Sequence, residues 1–207
     1  MTTDSVILVE HCLNREFLET IAVCDGEIKN LKYHQQRYES VLKTMGIDEF
    51  EDLSSYIEPP VVGLYKCRLV YTKESIKVSY HPYEKKEISK IKIVFDNDIQ
   101  YPQKSLLRDD LERLYKQRDG CDEILIVKNL LVSDTSIANI AFYDEKQGIW
   151  ITPKQPLLKG TTRQRLLDEG KIFPAEIKVH TIRQYSKIAL LNAMVGFDIL
   201  PRHEFLI

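Results

Sequence analysis

The sequence predicts an α+β chain of two domains: a small N-terminal α+β domain at residues 1–100 and a larger C-terminal domain at 104–207, with a curled sheet and outer helices. Three observations predict this. Short strands with alternating apolar residues and turn dipeptides fill much of the first hundred positions, and one helical-period run interrupts them. The stretch DNDIQYPQ at 96–103 is turn-prone and contains a proline, which marks a linker. Beyond it, strands and helices alternate to the end.

In the first domain, Ser5 to His11 and Leu18 to Asn30 read as strands, the latter turning at Asp25-Gly26. Leu31, His34, Tyr38, Val41, Leu42 and Met45 then recur at helical spacing until Gly46 stops the run. Asp48 to Tyr56 reads as a second short helix ahead of Pro59-Pro60. Leu64 to Thr72 and Ser75 to Pro82 alternate around a Lys73-Glu74 turn, and Ile91 to Phe95 adds a strand that completes the domain.

The second domain opens at Lys104 with a helix over 105–118 whose Leu107, Leu111 and Leu114 share a face. DEILIVKN, LLVSDTSIANIAFYD and IWITPK read as strands, TTRQRLLDEGKI as a helix and FPAEIKVHTI as a strand. A short helix around Tyr185 to Leu190 and a closing NAMVGFDILP segment finish the chain.

Composition excludes several classes. With 207 residues, the chain can bury a substantial core. A formal net charge of −2 leaves no surplus of Lys and Arg for general nucleic-acid binding. The N-terminus lacks a basic start and a long apolar run, and no stretch approaches a membrane span, so a cytoplasmic protein is the default expectation. Cys12, Cys24, Cys67 and Cys121 lie far apart with no CxxC pair or His cluster, indicating neither a metal site nor a disulfide scaffold.

Four separated features fit one ligand. Lys104 stands at the domain junction, where partial desolvation would make its amine a nucleophile. Asp134 opens a polar run, Asp134-Thr135-Ser136, that ends at Asn139. Gly160, Thr161 and Thr162 begin an apolar-periodic helix whose N-terminal N–H groups suit an anion, and Arg37 supplies a cation for the same purpose. The same Thr pair also reads as an ordinary N-cap. A lysine, an acid for a ring nitrogen and a phosphate cradle are what pyridoxal phosphate needs.

Five segments in register resemble the class IV aminotransferases, a fold-type IV group of pyridoxal-phosphate enzymes. LETIAVCDGEIKNLKYHQQR is similar to the FETIRV, DG and HxxR run of that group, which implies that Arg37 binds phosphate. KSLLR is similar to its lyase-like KHLNR pattern, which makes Lys104 the cofactor-carrying lysine. GCDEILIVKNLLVSDTSIAN resembles the G-D-E strand and the following acidic, small-residue run ending in Asn. Asp134 then stands for the Glu that meets the pyridine nitrogen, and Asn139 closes the motif as a cofactor contact. LLKGTTRQRLL resembles LPGITR, giving Thr161 and Thr162 to the phosphate, and LLNAMVGFDILP resembles the closing strand, which brings Asn192 and Ala193 near it.

The resemblance implies an α+β fold of type IV, pyridoxal 5'-phosphate as cofactor, a small-molecule amine as substrate, and a homodimer with neither nucleic-acid nor membrane partner. Within the group the KxLxR pattern and the Leu-Asn-Ala-Met ending are closest to 4-amino-4-deoxychorismate lyase, which releases pyruvate and 4-aminobenzoate. Thr20, Arg68 and Arg108 are then candidates for substrate carboxylates. An aminotransferase of branched-chain or D-amino acids, and a cofactor-binding protein without efficient turnover, are the alternatives. Departures from the pattern are Asp134 for Glu, Ala22 for the Arg of FETIR, and VYTKE at Val70 to Glu74, where Lys73 is either a carboxylate contact or a hairpin-tip lysine. In place of the acidic, glycine-rich stretch expected before the FET motif, the chain goes straight from Asn14-Arg15-Glu16 into Phe17, so part of one substrate wall is expected to be missing or rebuilt.

Overall fold

A computed structural model describes residues 15–207. The strand expected at Ser5 to His11 and Cys12 lie outside the described residues. Two compact units divide the chain: residues up to Glu84 together with Gln103–Leu107, and Lys85–Pro102 together with Arg108–Ile207. Among the described residues no helix is long and apolar enough to cross a membrane.

In the first unit β1 (Phe17–Cys24) turns at Asp25-Gly26 into β2 (Glu27–Ile28). Both turn residues have positive φ, 48° and 80°, the backbone that lets a two-residue hairpin follow the twist of its strands. Next come helix α1 (Leu31–Thr44), β3 (Leu64–Tyr71) and β4 (Ile76–Pro82), and the antiparallel sheet runs β2-β1-β3-β4. Alternation puts Phe17, Ile21 and Val23 on one side of β1, with Cys67, Leu69 and Tyr71 of β3. There they pack with Tyr38, Val41 and Leu42 of α1, each fully buried large side chain contributing roughly 1.5–3 kcal/mol. The second helix expected at Asp48 to Tyr56 is only a 3₁₀ turn at Leu53–Tyr56, because the Asp52 side chain captures the Ser54 N–H at 2.8 Å and tightens the chain.

The second unit contains β5 (Lys90–Phe95), α2 (Asp109–Tyr115), β6 (Glu123–Lys128), β7 (Leu131–Thr135), β8 (Asn139–Asp144) and β9 (Ile149–Pro153). After these follow α3 (Thr161–Asp168), β10 (Ile172–Ala175), β11 (Ile188–Asn192), β12 (Gly196–Ile199) and β13 (Glu204–Leu206). One sheet runs β13-β5-β6-β7 and the other β10-β9-β8-β11-β12. Ile91, Ile93, Leu125 and Val127 from the first sheet meet Ile140, Phe142, Ile188 and Leu190 from the second in one core. The intervening residues of β6, Ile124 and Ile126, face outward onto Leu111 and Leu114 of α2. In the other sheet Ala141, Ala189 and Leu191 pack against Leu166 of α3. The layers are therefore helix, sheet, sheet, helix, and β6 is apolar at successive positions because both its faces are covered.

Several elements differ from the sequence reading. β5 pairs in parallel with β6, so Ile91 to Phe95 belongs to the second unit, ahead of the expected linker. Residues 103–107 return to the first unit, where Leu18 N–H donates to the Lys104 carbonyl at 2.8 Å and Phe17 bridges Ser105. α2 starts at Asp109 rather than Ser105: Leu106 N–H is spent on the Glu16 carbonyl, and the acids Asp109, Asp110 and Glu112 suit the positive end of the helix. LLVSDTSIANIAFYD breaks at Ser136 to Ala138, where three hydrogen bonds join Thr135 and Ala138 through the backbone and Thr135 Oγ1, and the chain crosses between sheets. FPAEIKVHTI keeps strand form only at Ile172–Ala175 before 3₁₀ turns at Val179–Gln184. The helix expected around Tyr185 to Leu190 is strand β11, whose every apolar residue is buried; an uninterrupted apolar run fits either period.

The shifted start of α2 separates two leucines that share a face in the sequence reading. Leu107 is 63% exposed and Leu114 1%. Leu114→Ala should cost about 2–5 kcal/mol in urea unfolding, and Leu107→Ala less than about 0.5 kcal/mol. Equal losses would restore the longer helix.

Candidate active site

The first unit gathers its charged groups behind β1. Glu19 lies mid-strand on the core side and is fully buried. Facing it from the first turns of α1 are His34 and Arg37, three residues apart and so on one helix face. Arg37 donates from Nε at 2.7 Å and from Nη2 at 2.5 Å to the two Glu19 oxygens, and His34 Nδ1 lies 2.5 Å from Oε2. Burial pushes the Glu19 carboxyl up, but the Arg37 charge and the hydrogen bonds from His34 and Arg37 outweigh it and bring the pKa down to about 2. Burial in turn pushes His34 down, against the hydrogen bond and charge of Glu19, and the positive charges of Arg37 and Lys104 add to the fall. His34 is therefore neutral, with its proton on Nδ1 toward the carboxylate. Lys104 and Arg37 thus belong to one neighbourhood, anchored by the Lys104 carbonyl on Leu18.

The opposite face of this sheet holds the other two candidates. Register pairs Thr20 with Arg68 and Arg68 with Ser79, and the flanking rows add Lys66 with His81 and Val70 with Lys77. β1, β3 and β4 place no acidic side chain on that face.

The second unit brings Asp134, Asn139, Thr161 and Asn192 to one end of the β8–β11 pair. Asp134 points to the side of β7 that carries Val132 and is 4% exposed. Its Oδ1 accepts from Asn139 Nδ2 at 2.7 Å and its Oδ2 from the Leu158 N–H at 3.0 Å. Burial raises its pKa to about 6, against the pull of those two donors and of the Arg163 charge. Asn139 also donates to the Leu158 carbonyl at 2.8 Å. A Cβ at Gly160 would collide with Asn139 Oδ1, so only glycine fits there. From Gly160 the chain enters α3, whose N-terminus has no side-chain cap, and Thr161 and Thr162 in its first turn are both buried. Asn139 opposes Leu191 across β8 and β11, next to Asn192. Asn192 Oδ1 accepts from the N–H groups of Met194 and Val195 at 2.9 and 3.0 Å, shaping the turn that contains Ala193.

Arg108, expected at a substrate carboxylate, donates from Nη2 to the Ser136 carbonyl at 2.9 Å. The same loop residue receives the buried Glu123 carboxylate on its N–H at 3.1 Å. Both groups brace the turn between Asp134 and Asn139. Sequence reasoning missed Glu19, His34 and Glu123. The first two carried a signal: an acid inside the apolar run FLETIAV, and a histidine one helical turn before Arg37.

The profile of the amino-transferase class IV family matches residues 75–199. An uncharacterized protein of Haemophilus influenzae is 37% identical over 184 residues, 86% of this chain and 97% of its own. Among solved structures, a candidate 4-amino-4-deoxychorismate lyase from Haemophilus somnus superposes with a TM-score of 0.81 at 38% identity, covering 88% of this chain and 98% of that one. The pyridoxal-phosphate-bound form of a hypothetical aminotransferase from Mycobacterium tuberculosis shares the fold, with a TM-score of 0.75 at 17% identity over 95% of this chain and 84% of its own.

The two buried carboxyls make opposite predictions. Glu19→Ala leaves Arg37 and His34 facing an empty position and should cost about 3–5 kcal/mol in denaturant unfolding. A loss below about 1 kcal/mol would mean that the charges find water instead. For Asp134 the folded state holds its proton more tightly than the unfolded chain, whose carboxyl titrates near 3.8. Its contribution is therefore fully present below about pH 4 and falls as pH rises through 6, by roughly 3 kcal/mol. Asp134→Asn should remove that slope from the stability of the cofactor-free protein.

Proposed function

Because the chain belongs to the class IV aminotransferase family, whose cofactor is pyridoxal 5'-phosphate, we propose that it is a lyase that splits 4-amino-4-deoxychorismate into 4-aminobenzoate and pyruvate. The residues present fit the cofactor. The uncapped start of α3 at Gly160 leaves N–H donors for a phosphate, and Asp134 is a buried carboxyl that titrates close to neutrality and can pair with a protonated ring nitrogen.

In this reading Thr161 and Thr162 hold the phosphate and Asp134 keeps the ring nitrogen protonated, and the family resemblance assigns Arg37, whose Nε and Nη2 bind Glu19, to the phosphate as well. Bound there, the cofactor supplies an aldehyde for the substrate amine and a ring that accepts the electron pair set free at the adjacent carbon. Lys104 would hold the cofactor between turnovers, and in the substrate complex its Nζ would take the proton from the amine-bearing carbon. The bond from the neighbouring carbon to the enolpyruvyl oxygen would then break with its electron pair on oxygen. The substrate's six-membered ring would become aromatic and keep the amine as 4-aminobenzoate, while the departing enolpyruvyl group would take up the proton held at Lys104 Nζ and leave as pyruvate. No water or external acceptor is consumed. Asn139 and Asn192 act by holding Asp134 and the adjoining turn.

The single observation that carries the lyase over an amino-acid aminotransferase is the cationic sheet face of Thr20, Arg68, Lys66 and Lys77. A substrate with two carboxylates can use several cations there, whereas a branched-chain amino acid has one carboxylate to offer. The 38% identity to the Haemophilus somnus protein supports the same choice. The proposal extends to a homodimer acting in the cytoplasm, for which sedimentation of the loaded protein should give the mass of two chains.

The test is pyruvate release from 4-amino-4-deoxychorismate by the cofactor-loaded protein without a keto-acid acceptor. We expect release that Lys104→Ala abolishes and Arg68→Ala lowers by about tenfold or more, chiefly through KM. Transfer of the amine to a keto acid, without pyruvate release, would overturn the lyase in favour of an aminotransferase.

A further inference from the structure

Asn139 spends its amide on protein. One nitrogen donates to Asp134 Oδ1 at 2.7 Å and to the Leu158 carbonyl at 2.8 Å. Leu158 returns its own N–H to the other Asp134 oxygen at 3.0 Å, so Asp134, Asn139 and Leu158 close a ring of three hydrogen bonds. On its far side the Asn139 oxygen lies against Gly160, the residue that begins α3. One buried side chain therefore touches both the acid on β7 and the turn that leads to Thr161 and Thr162.

We propose that Asn139 is a positioning residue that joins Asp134 to the Gly160–Thr162 turn, so that the acid for the ring nitrogen and the seat for the phosphate are held at a fixed spacing. This rests on the roles given above to Asp134 and to that turn. It explains how an aspartate serves here: its short side chain is fixed by two donors in place of reach. It also assigns Gly160 a purpose, since a side chain there would expel Asn139 from the strut.

Among the described residues the charged group facing Asp134 is Arg163 of α3; from β8 it meets Asn139, and from the segment before α3 the N–H groups of Leu157 and Leu158. Asn139→Asp replaces the donor by a second carboxyl of nearly the same shape. At acid pH the pair shares a proton and one carboxyl donates to the other, so the link to Asp134 persists although the Leu158 carbonyl loses its donor. At alkaline pH both ionise and repel, and the strut opens. Asn139→Ala lacks it at every pH.

The experiment measures the affinity of the protein for pyridoxal 5'-phosphate at about pH 5.5 and about pH 8, and the pH midpoint of the bound cofactor's absorbance across that range. Relative to wild type, Asn139→Ala should lose about tenfold or more in affinity at both pH values. Asn139→Asp should stay closer to wild type than Asn139→Ala does at the lower pH and resemble Asn139→Ala at the higher. A merely space-filling role predicts no such pH split, and Asn139→Asp equal to wild type at both values would overturn the proposal. Asp134→Ala separates the premises: if it leaves affinity and absorbance unchanged, the role of Asp134 fails. If it alters them while both Asn139 variants behave as wild type, the coupling through Asn139 fails.

Discussion

A carboxylate can remain inside a protein only when each oxygen meets a donor, and much of the candidate site is arranged to meet that demand twice. Glu19 is met by two nitrogens of the Arg37 guanidinium and by an imidazole N–H, and its pKa falls to about 2. Asp134 is met by an amide and a backbone N–H, and its pKa rises to about 6. The difference lies in the donors. A cation in contact compensates desolvation, whereas two neutral donors with Arg163 as a further charge do not. Glu19 is thereby a permanent anion that fixes the orientation of Arg37 and His34, while Asp134 remains able to exchange its proton near neutral pH.

The layers around these groups explain why the chemistry-bearing residues sit at strand ends. β6 is covered on both faces and leaves no room for polar function, so its buried acid, Glu123, stands at its first residue and turns to the loop at Ser136. The crossing between sheets at Ser136 to Ala138 frees β7 and β8 to end side by side, which places Asp134 and Asn139 within one hydrogen bond. Arg108 and Glu123 hold that crossing from two directions. The loop between Asp134 and Asn139 is thus tied by two side chains, Arg108 and Glu123, from outside it.

Much of the fold was legible in the sequence where local chemistry decides. The Asp25-Gly26 hairpin, helix α1 with its stop at Gly46, and the β3–β4 pair follow from turn dipeptides and clean periods. Long-range pairing was not legible. Ile91 to Phe95 is apolar enough to join either sheet, and only its partners in β6 and β13 decide. β11 reads as either period because both of its faces are buried. At the site, motif order brought out Lys104, Arg37, Asp134 and the Thr161-Thr162 turn, but motif order does not say what a side chain touches. Asn139 stood out as the end of a motif; its contacts with Asp134 and Leu158 needed coordinates. Arg108 read as a candidate for a substrate carboxylate, and that its Nη2 also donates to the Ser136 carbonyl needed coordinates.

The proposed chemistry depends most on Lys104 as the residue that carries the cofactor. Borohydride reduction of the pyridoxal-phosphate-loaded protein, followed by peptide mass mapping, tests this directly. One stable pyridoxyl adduct is expected, on the peptide containing Lys104. An adduct on another lysine, or none while the cofactor remains tightly bound, would contradict it.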